Sequence, residues 1–124
     1  MRLLLDTHVV LWWLADDTRL TDDLKHVLDT DPDVYVSAAT VWEVAIKQAI
    51  GKIRAPVDLA ERISDVGFRE LPIASRHAVA VSGLPLIHRD PFDRVLVAQA
   101  QCEDLMLVTR DVNIRRYDVP TLVA

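Results

Sequence analysis

The feature that most constrains the fold is an alternation: short apolar runs, too brief for helices, are separated by stretches with helical spacing of apolar residues. Arg2 to Leu5 reads as a strand ending at Asp6, and Val9 to Leu14 as a helix. Thr21, followed by Asp22 and Asp23, supplies an N-cap and two acids for the positive end of a second helix reaching about Asp29, with Pro32 as its stop. Val34 to Val36 reads as a buried strand, and Thr40 to Ile50 as a helix closed by Gly51. Val57 to Val66 is the next helix, closed by Gly67, then Phe68 to Leu71 a weak strand, and Ser75 caps a short helix ended by Gly83. After a loop from Leu84 to Arg89, Asp90-Pro91 opens a helix to about Glu103, with proline at its first position. Leu105 to Val108 is a strand, Asn113 to Tyr117 a turn of helix, and Thr121 to Val123 a last strand. Strands joined through helices need crossover connections, so the expected class is α/β: a mainly parallel central sheet of about 4–5 strands with helices on both faces.

At 124 residues the chain suits a single domain spanning 1–124. Its hydrophobic share of 51% is enough to build a core, which argues against disorder. The longest apolar run, Val9 to Ala15, falls far short of the roughly 20 residues a membrane-spanning helix requires. The opening residues reach Asp6 after three leucines and show no small-residue cleavage site, so no signal peptide is expected. Cys102, the lone cysteine, sits in an apolar helical stretch and reads as a buried thiol in a reducing cytoplasm. The net charge of −5 is local: residues 1–33 hold eight acids and three bases, whereas residues 34–124 hold eleven of each. The bases after residue 46 therefore leave room for a basic rim on an otherwise acidic protein.

In an open parallel sheet, ligands bind beyond the carboxyl ends of the strands. Acids cluster at those positions here. Asp6 follows the first strand, Glu43 lies about two helical turns beyond Ser37, Asp93 sits in the first turn of the Asp90-Pro91 helix, and Asp111 follows the strand ending near Thr109. Crossovers can bring all four to one edge although 37, 50 and 18 residues separate them in order. Helix capping competes with this reading for each acid taken singly. Thr40 to Glu43 and Asp90 to Asp93 fit a capping box or its acidic variant, and Asp6 can cap the following helix. Carboxylates at every strand end favour a shared site, because Ser, Thr or Asn would cap equally well.

Carboxylates crowded into one pocket repel and shift pKa unless a cation joins them. All-oxygen ligands suit Mg²⁺ or Mn²⁺, whereas His8, His26, His77 and His88 lack zinc-ligand spacing. The chemistry such a site supports is hydrolysis of a phosphodiester. Thr7, Ser37 and Thr109 lie beside the acids, where their hydroxyls can orient carboxylates; turn or cap duty explains them equally.

The blocks LLLDTHVVLWWL, VSAATVWEVAIKQAIGKI, HRDPFDRVLVAQA and LVTRDVNIRRYDVP together resemble the PIN-domain family, specifically its VapC-like toxins, over nearly the whole chain. The resemblance implies a Mg²⁺- or Mn²⁺-dependent endoribonuclease, homodimeric, inhibited by a small antitoxin protein. By motif position Asp6, Glu43 and Asp93 correspond to the family's acids. Many relatives carry Thr-Arg-Asn followed by Asp three residues on; here Thr109-Arg110-Asp111 is followed by Ile114, so Asp111 either replaces that acid as a ligand or caps the next turn. Asp90, before Pro91, reads first as an N-cap.

The segment Val9 to Leu14 is apolar on every side, which makes Trp12 and Trp13 candidates for an antitoxin or dimer contact, with full burial as the competing reading. Arg89, Arg94, Arg110 and Lys47 neighbour the acid motifs and are candidates for binding RNA phosphates. Two other readings exist. A phosphoacceptor receiver domain shares the size, class and acidic Mg²⁺ pocket, but calls for paired acids after the first strand and a late Lys, which this chain lacks. A non-catalytic RNA-binding PIN relative would have lost acids that this chain retains.

Overall fold

A computed structural model describes residues 1–124. Five strands form one sheet: β1 (Leu3–Leu5), β2 (Val34–Ser37), β3 (Arg69–Leu71), β4 (Met106–Thr109) and β5 (Thr121–Val123). All neighbouring pairs are parallel, in the order β3-β2-β1-β4-β5. The helices are α1 (Thr7–Leu14), α2 (Asp22–Thr30), α3 (Ala38–Ala49), α4 (Leu59–Asp65), α5 (Ser75–Val81) and α6 (Pro91–Glu103), with a 3₁₀ turn at Ile114–Arg116. The α/β class and the number of strands are as expected, and the sheet is wholly parallel.

Side-chain alternation in the short strands builds two cores, one on each face of the sheet. Leu3 and Leu5 pack with Val9 and Val10 of α1, Leu24 and Leu28 of α2, and Leu59 and Ile63 of α4. Leu4, between them, points to the opposite face, with Leu96, Val97 and Ala100 of α6 and Ile114 of the 3₁₀ turn. The three leucines of β1 are wholly buried. The sheet grows outward from β1 through β2 and β3 on one side and through β4 and β5 on the other. The order therefore reverses between β1 and β4, and the crevice of a doubly wound sheet opens at such a switch point.

Several local expectations change. Helix α3 begins at Ala38 rather than Thr40, with Ser37 as its N-cap, so no capping box runs from Thr40 to Glu43. Strand β2 passes directly into that helix, leaving no loop for a later start. Ala74, not Ser75, precedes the first turn of α5, and its amide donates to Nδ1 of His77 at 2.9 Å. Cys102 is exposed rather than buried: it lies one turn beyond buried Ala98, where α6 outruns its cover.

Candidate active site

Asp6 leaves β1 at the switch point and serves two purposes. It is the N-cap of α1, where Oδ1 accepts from the Val9 amide at 3.1 Å. Its other oxygen, Oδ2, accepts from the Thr109 hydroxyl at 2.5 Å, which ties the end of β1 to the end of β4. The same hydroxyl oxygen receives the Asp111 amide at 3.0 Å. Burial raises the Asp6 pKa above its ordinary 3.8, and the bonds from Thr109 and Val9 pull it back in part.

Glu43 projects from α3 and is 2% exposed, so its charge needs partners inside the protein. Thr7, the residue after Asp6, donates to Oε1 at 2.7 Å and stands 3.1 Å from the Thr40 hydroxyl. Lys47, one turn along α3, meets Oε2 at 2.5 Å. The Glu43 bond raises the Lys47 pKa, and the charges of Asp90 and Asp93 add to it. Lys47 is thus paired with the α3 acid and also feels the charges at the start of α6.

Asp93 carries the largest electrostatic signature. Its pKa is pushed up to about 6 by burial, opposed by a hydrogen bond with His88 and reinforced by the charges of Asp90, Asp111 and Asp6. Residues far apart in the chain act on one carboxyl group, as crossovers converging on one end of the sheet require. Asp90 is the N-cap of α6, accepting the Phe92 and Asp93 amides at 2.9 and 3.0 Å. Asp93 does not reach back to close a capping box; its Oδ2 lies 3.2 Å from Nε2 of His88. Asp111 also caps, through Oδ1, the Asn113 and Ile114 amides at 2.7 and 3.2 Å. It lines a pocket of about 230 Å³ with Asp6, His8, Trp12 and Arg110. The acids share one end of the sheet but do not close into a cage: no three His, Cys, Asp or Glu side chains are grouped as a ready-made metal site.

Thr7 and Thr109 stand against acids as anticipated, whereas Ser37 does not. Its hydroxyl caps α3 through the Ala39 amide and donates to Gln99 at 2.5 Å. Arg94 is likewise removed from the group facing substrate, because its guanidinium donates to Pro85 and Val81 carbonyls at 2.9 and 3.3 Å and to the Tyr117 hydroxyl at 3.0 Å. A cation so fully engaged holds the 84–90 loop to α6 rather than awaiting a phosphate. Arg110 donates to Ala124 and Arg19 carbonyls and stacks over Trp12, 4.7 Å from its centroid, yet remains on the pocket wall. Arg89 is exposed beside Asp90.

Trp12 is half-buried beneath Arg19 and Arg110, and Trp13 packs on Phe68 with ring centroids 5.0 Å apart. The freest tryptophan is Trp42, 57% exposed and edge-on to Phe92. The sequence offers His88 only as a histidine without zinc-ligand spacing and gives Tyr117 no role, although His88 stands in the same HRDPFDR block as Asp93.

A doubly wound parallel sheet with Asp6 buried at its switch point and Glu43 buried beside Thr7 defines an α/β domain with an acidic crevice. The chain matches the PIN domain family model over residues 3–120 and belongs to that family. A receiver-domain assignment is thereby set aside. Over 126 aligned residues, 95% of this chain and 93% of the relative, it is 32% identical to Ribonuclease VapC22 of Mycobacterium tuberculosis (strain ATCC 25618 / H37Rv). The fold is similar to DNA-bound VapBC from Salmonella typhimurium, with TM-score 0.73 and 14% identity over 99% of this chain and 98% of that one. It is also similar to a toxin-antitoxin complex from Klebsiella pneumoniae, with TM-score 0.68 and 18% identity over 96% and 94% of the two chains. No helix is long and apolar enough to cross a membrane.

Proposed function

We propose that the protein is a divalent-metal-dependent endoribonuclease and the toxin of a toxin–antitoxin pair. The observation that carries the reading is the convergence of acids from separate elements on one end of the sheet: Thr109 of β4 binds Asp6 beyond β1, and Thr7 of α1 binds Glu43 of α3. Burial raises the Asp93 pKa, and the charges of Asp90, Asp111 and Asp6 add to it. Carboxyl and hydroxyl oxygens are the donors a hard cation prefers, and the Lys47 ammonium drawn toward Glu43, Asp90 and Asp93 is a positive charge the chain itself supplies to that end of the sheet. Asp6, Glu43 and Asp93 would hold Mg²⁺ or Mn²⁺, with Asp111 reaching it directly or through water. When bound, such an ion activates water and neutralises charge on the phosphate.

The protein's own groups do the positioning. Thr109 and the Val9 amide engage the two oxygens of Asp6 and fix its plane. Thr7 holds Glu43 toward Asp6's end of the sheet. Arg110, Arg89 and Lys47 supply positive charge for the RNA backbone, which offsets the net charge of −5 locally. The antitoxin and a second copy of the chain are the expected protein partners, with Trp12 and Trp13 on α1 as candidate contacts. The working environment implied is cytoplasmic.

The test is incubation of purified protein with total RNA, with and without Mg²⁺ or Mn²⁺, beside Asp6→Asn. Internal cleavage by the wild type alone, and only with metal, is the expected outcome. Equal cleavage by Asp6→Asn would remove the assignment, and a wild type inert with either metal would favour a non-catalytic RNA-binding relative.

A further inference from the structure

The second face of the Asp93 carboxyl group leads to a three-residue relay that no acid motif announces. His88, in the 84–90 loop, places Nε2 3.2 Å from Asp93 Oδ2 and Nδ1 2.8 Å from the Tyr117 hydroxyl. That hydroxyl is buried with its ring, 4% exposed, and also accepts from Arg94 Nη1 at 3.0 Å and from the His88 amide at 3.4 Å. A phenol oxygen has two acceptor positions and one proton. With both acceptor positions met by N–H donors, its proton is directed at Nδ1 of His88. A nitrogen that accepts a proton bond is unprotonated, so the neutral imidazole carries its hydrogen on Nε2, facing Asp93.

We infer that His88 is a positioning residue for Asp93, locked by Tyr117 and Arg94 in the tautomer whose Nε2–H donates to the carboxyl group. The inference rests on the reading of Asp93 as a site acid. The lock leaves one Asp93 oxygen occupied and the other free to face the crevice. It also gives Arg94 a purpose: its charge polarises the Tyr117 hydroxyl and strengthens the bond that fixes the ring. Arg94 and Asp93 are neighbours on α6, so one helix carries both ends of the relay, and the loop holding His88 closes it.

Groups that orient metal ligands in this way typically change metal affinity or activity by about 10–100-fold when removed. The first readout needs neither metal nor RNA: long-range ¹H–¹⁵N correlation spectra of the full-length wild type. The relay requires that the neutral ring carry its proton on Nε2 and leave Nδ1 bare; a neutral ring protonated on Nδ1 overturns it. The second readout is calorimetric Mn²⁺ affinity of Tyr117→Phe, His88→Ala and His88→Gln. About tenfold weaker binding is expected for the first two, with recovery to within about threefold in His88→Gln, whose amide donates from a similar reach. Unchanged affinity in Tyr117→Phe together with an unchanged ring spectrum would refute the relay. Failure of RNA cleavage with the predicted tautomer intact would count against the nuclease reading instead.

Discussion

At the residue scale, Asp93 makes the sharpest prediction. Its folded pKa of about 6 lies above the ordinary 3.8, so between those values the folded state binds more protons than the unfolded one. The penalty of its charge is therefore absent below pH 3.8, grows as pH rises through that window and is complete above about 6. In metal-free protein, Asp93→Asn should exceed the wild type in stability by on the order of 2 kcal/mol at pH 7.5, and the gap should close on acidification to pH 4. Denaturant titrations at several pH values measure it; a gap independent of pH contradicts the account. Thr109 gives a second prediction. Thr109→Val strips a donor from buried Asp6 and should cost about 1–3 kcal/mol at neutral pH, whereas Thr109→Ser should restore most of it in the same titration. Asp6, Thr7 and Thr109 are legible in the sequence because strand ends at a switch point are fixed by topology, and Glu43 because it follows the neighbouring strand by about two helical turns. Ser37, Arg94 and His88 were not, because their roles depend on partners 62, 23 and 29 residues away that no local spacing encodes.

At the element scale, helix starts place most of the acids. Asp6, Asp90 and Asp111 each accept backbone amides through Oδ1; Asp6 Oδ2 also accepts from Thr109, whereas the amides leave Oδ2 of Asp90 and Asp111 free. The sequence sets capping and site duty against each other, and Asp6 combines its cap with a bond to the end of β4, a geometry that suits both. For Asp90 a substitution pair separates charge from cap. Asp90→Ala should lose about 1 kcal/mol by releasing the Phe92 and Asp93 amides, and Asp90→Asn should keep the cap. Asp90→Asn should also lower the Asp93 pKa, since a like charge has gone; carboxyl titration by NMR reads this, and an unmoved Asp93 would show that Asp90's charge does not reach it. Thr40 and Glu43 have capping-box spacing, which predicts a helix start at Thr40, yet Thr40 is buried within α3 and Ser37 holds the cap.

At the scale of the whole molecule, everything follows from chain order in the sheet. The central strand β1 is wholly apolar and buried on both faces, parallel pairing requires crossover helices, and the reversal between β1 and β4 puts Asp6 and Thr109 side by side. The class and parallel sheet were readable from the alternation of strands and helices. The reach of each side chain was not: Glu43 meets Lys47 and Thr7, Asp93 meets His88, and no three of the acids close on a point. The proposed cation would bridge acids that the fold alone leaves apart, and direct measurement of its binding tests that proposal. Titration of Mn²⁺ into the folded wild type, Asp6→Asn and Asp93→Asn, by calorimetry at pH 8, should show saturable binding weakened at least about tenfold in each variant. Equal affinity in all three, or none in the wild type, would contradict a metal held by acids from separate strands and helices.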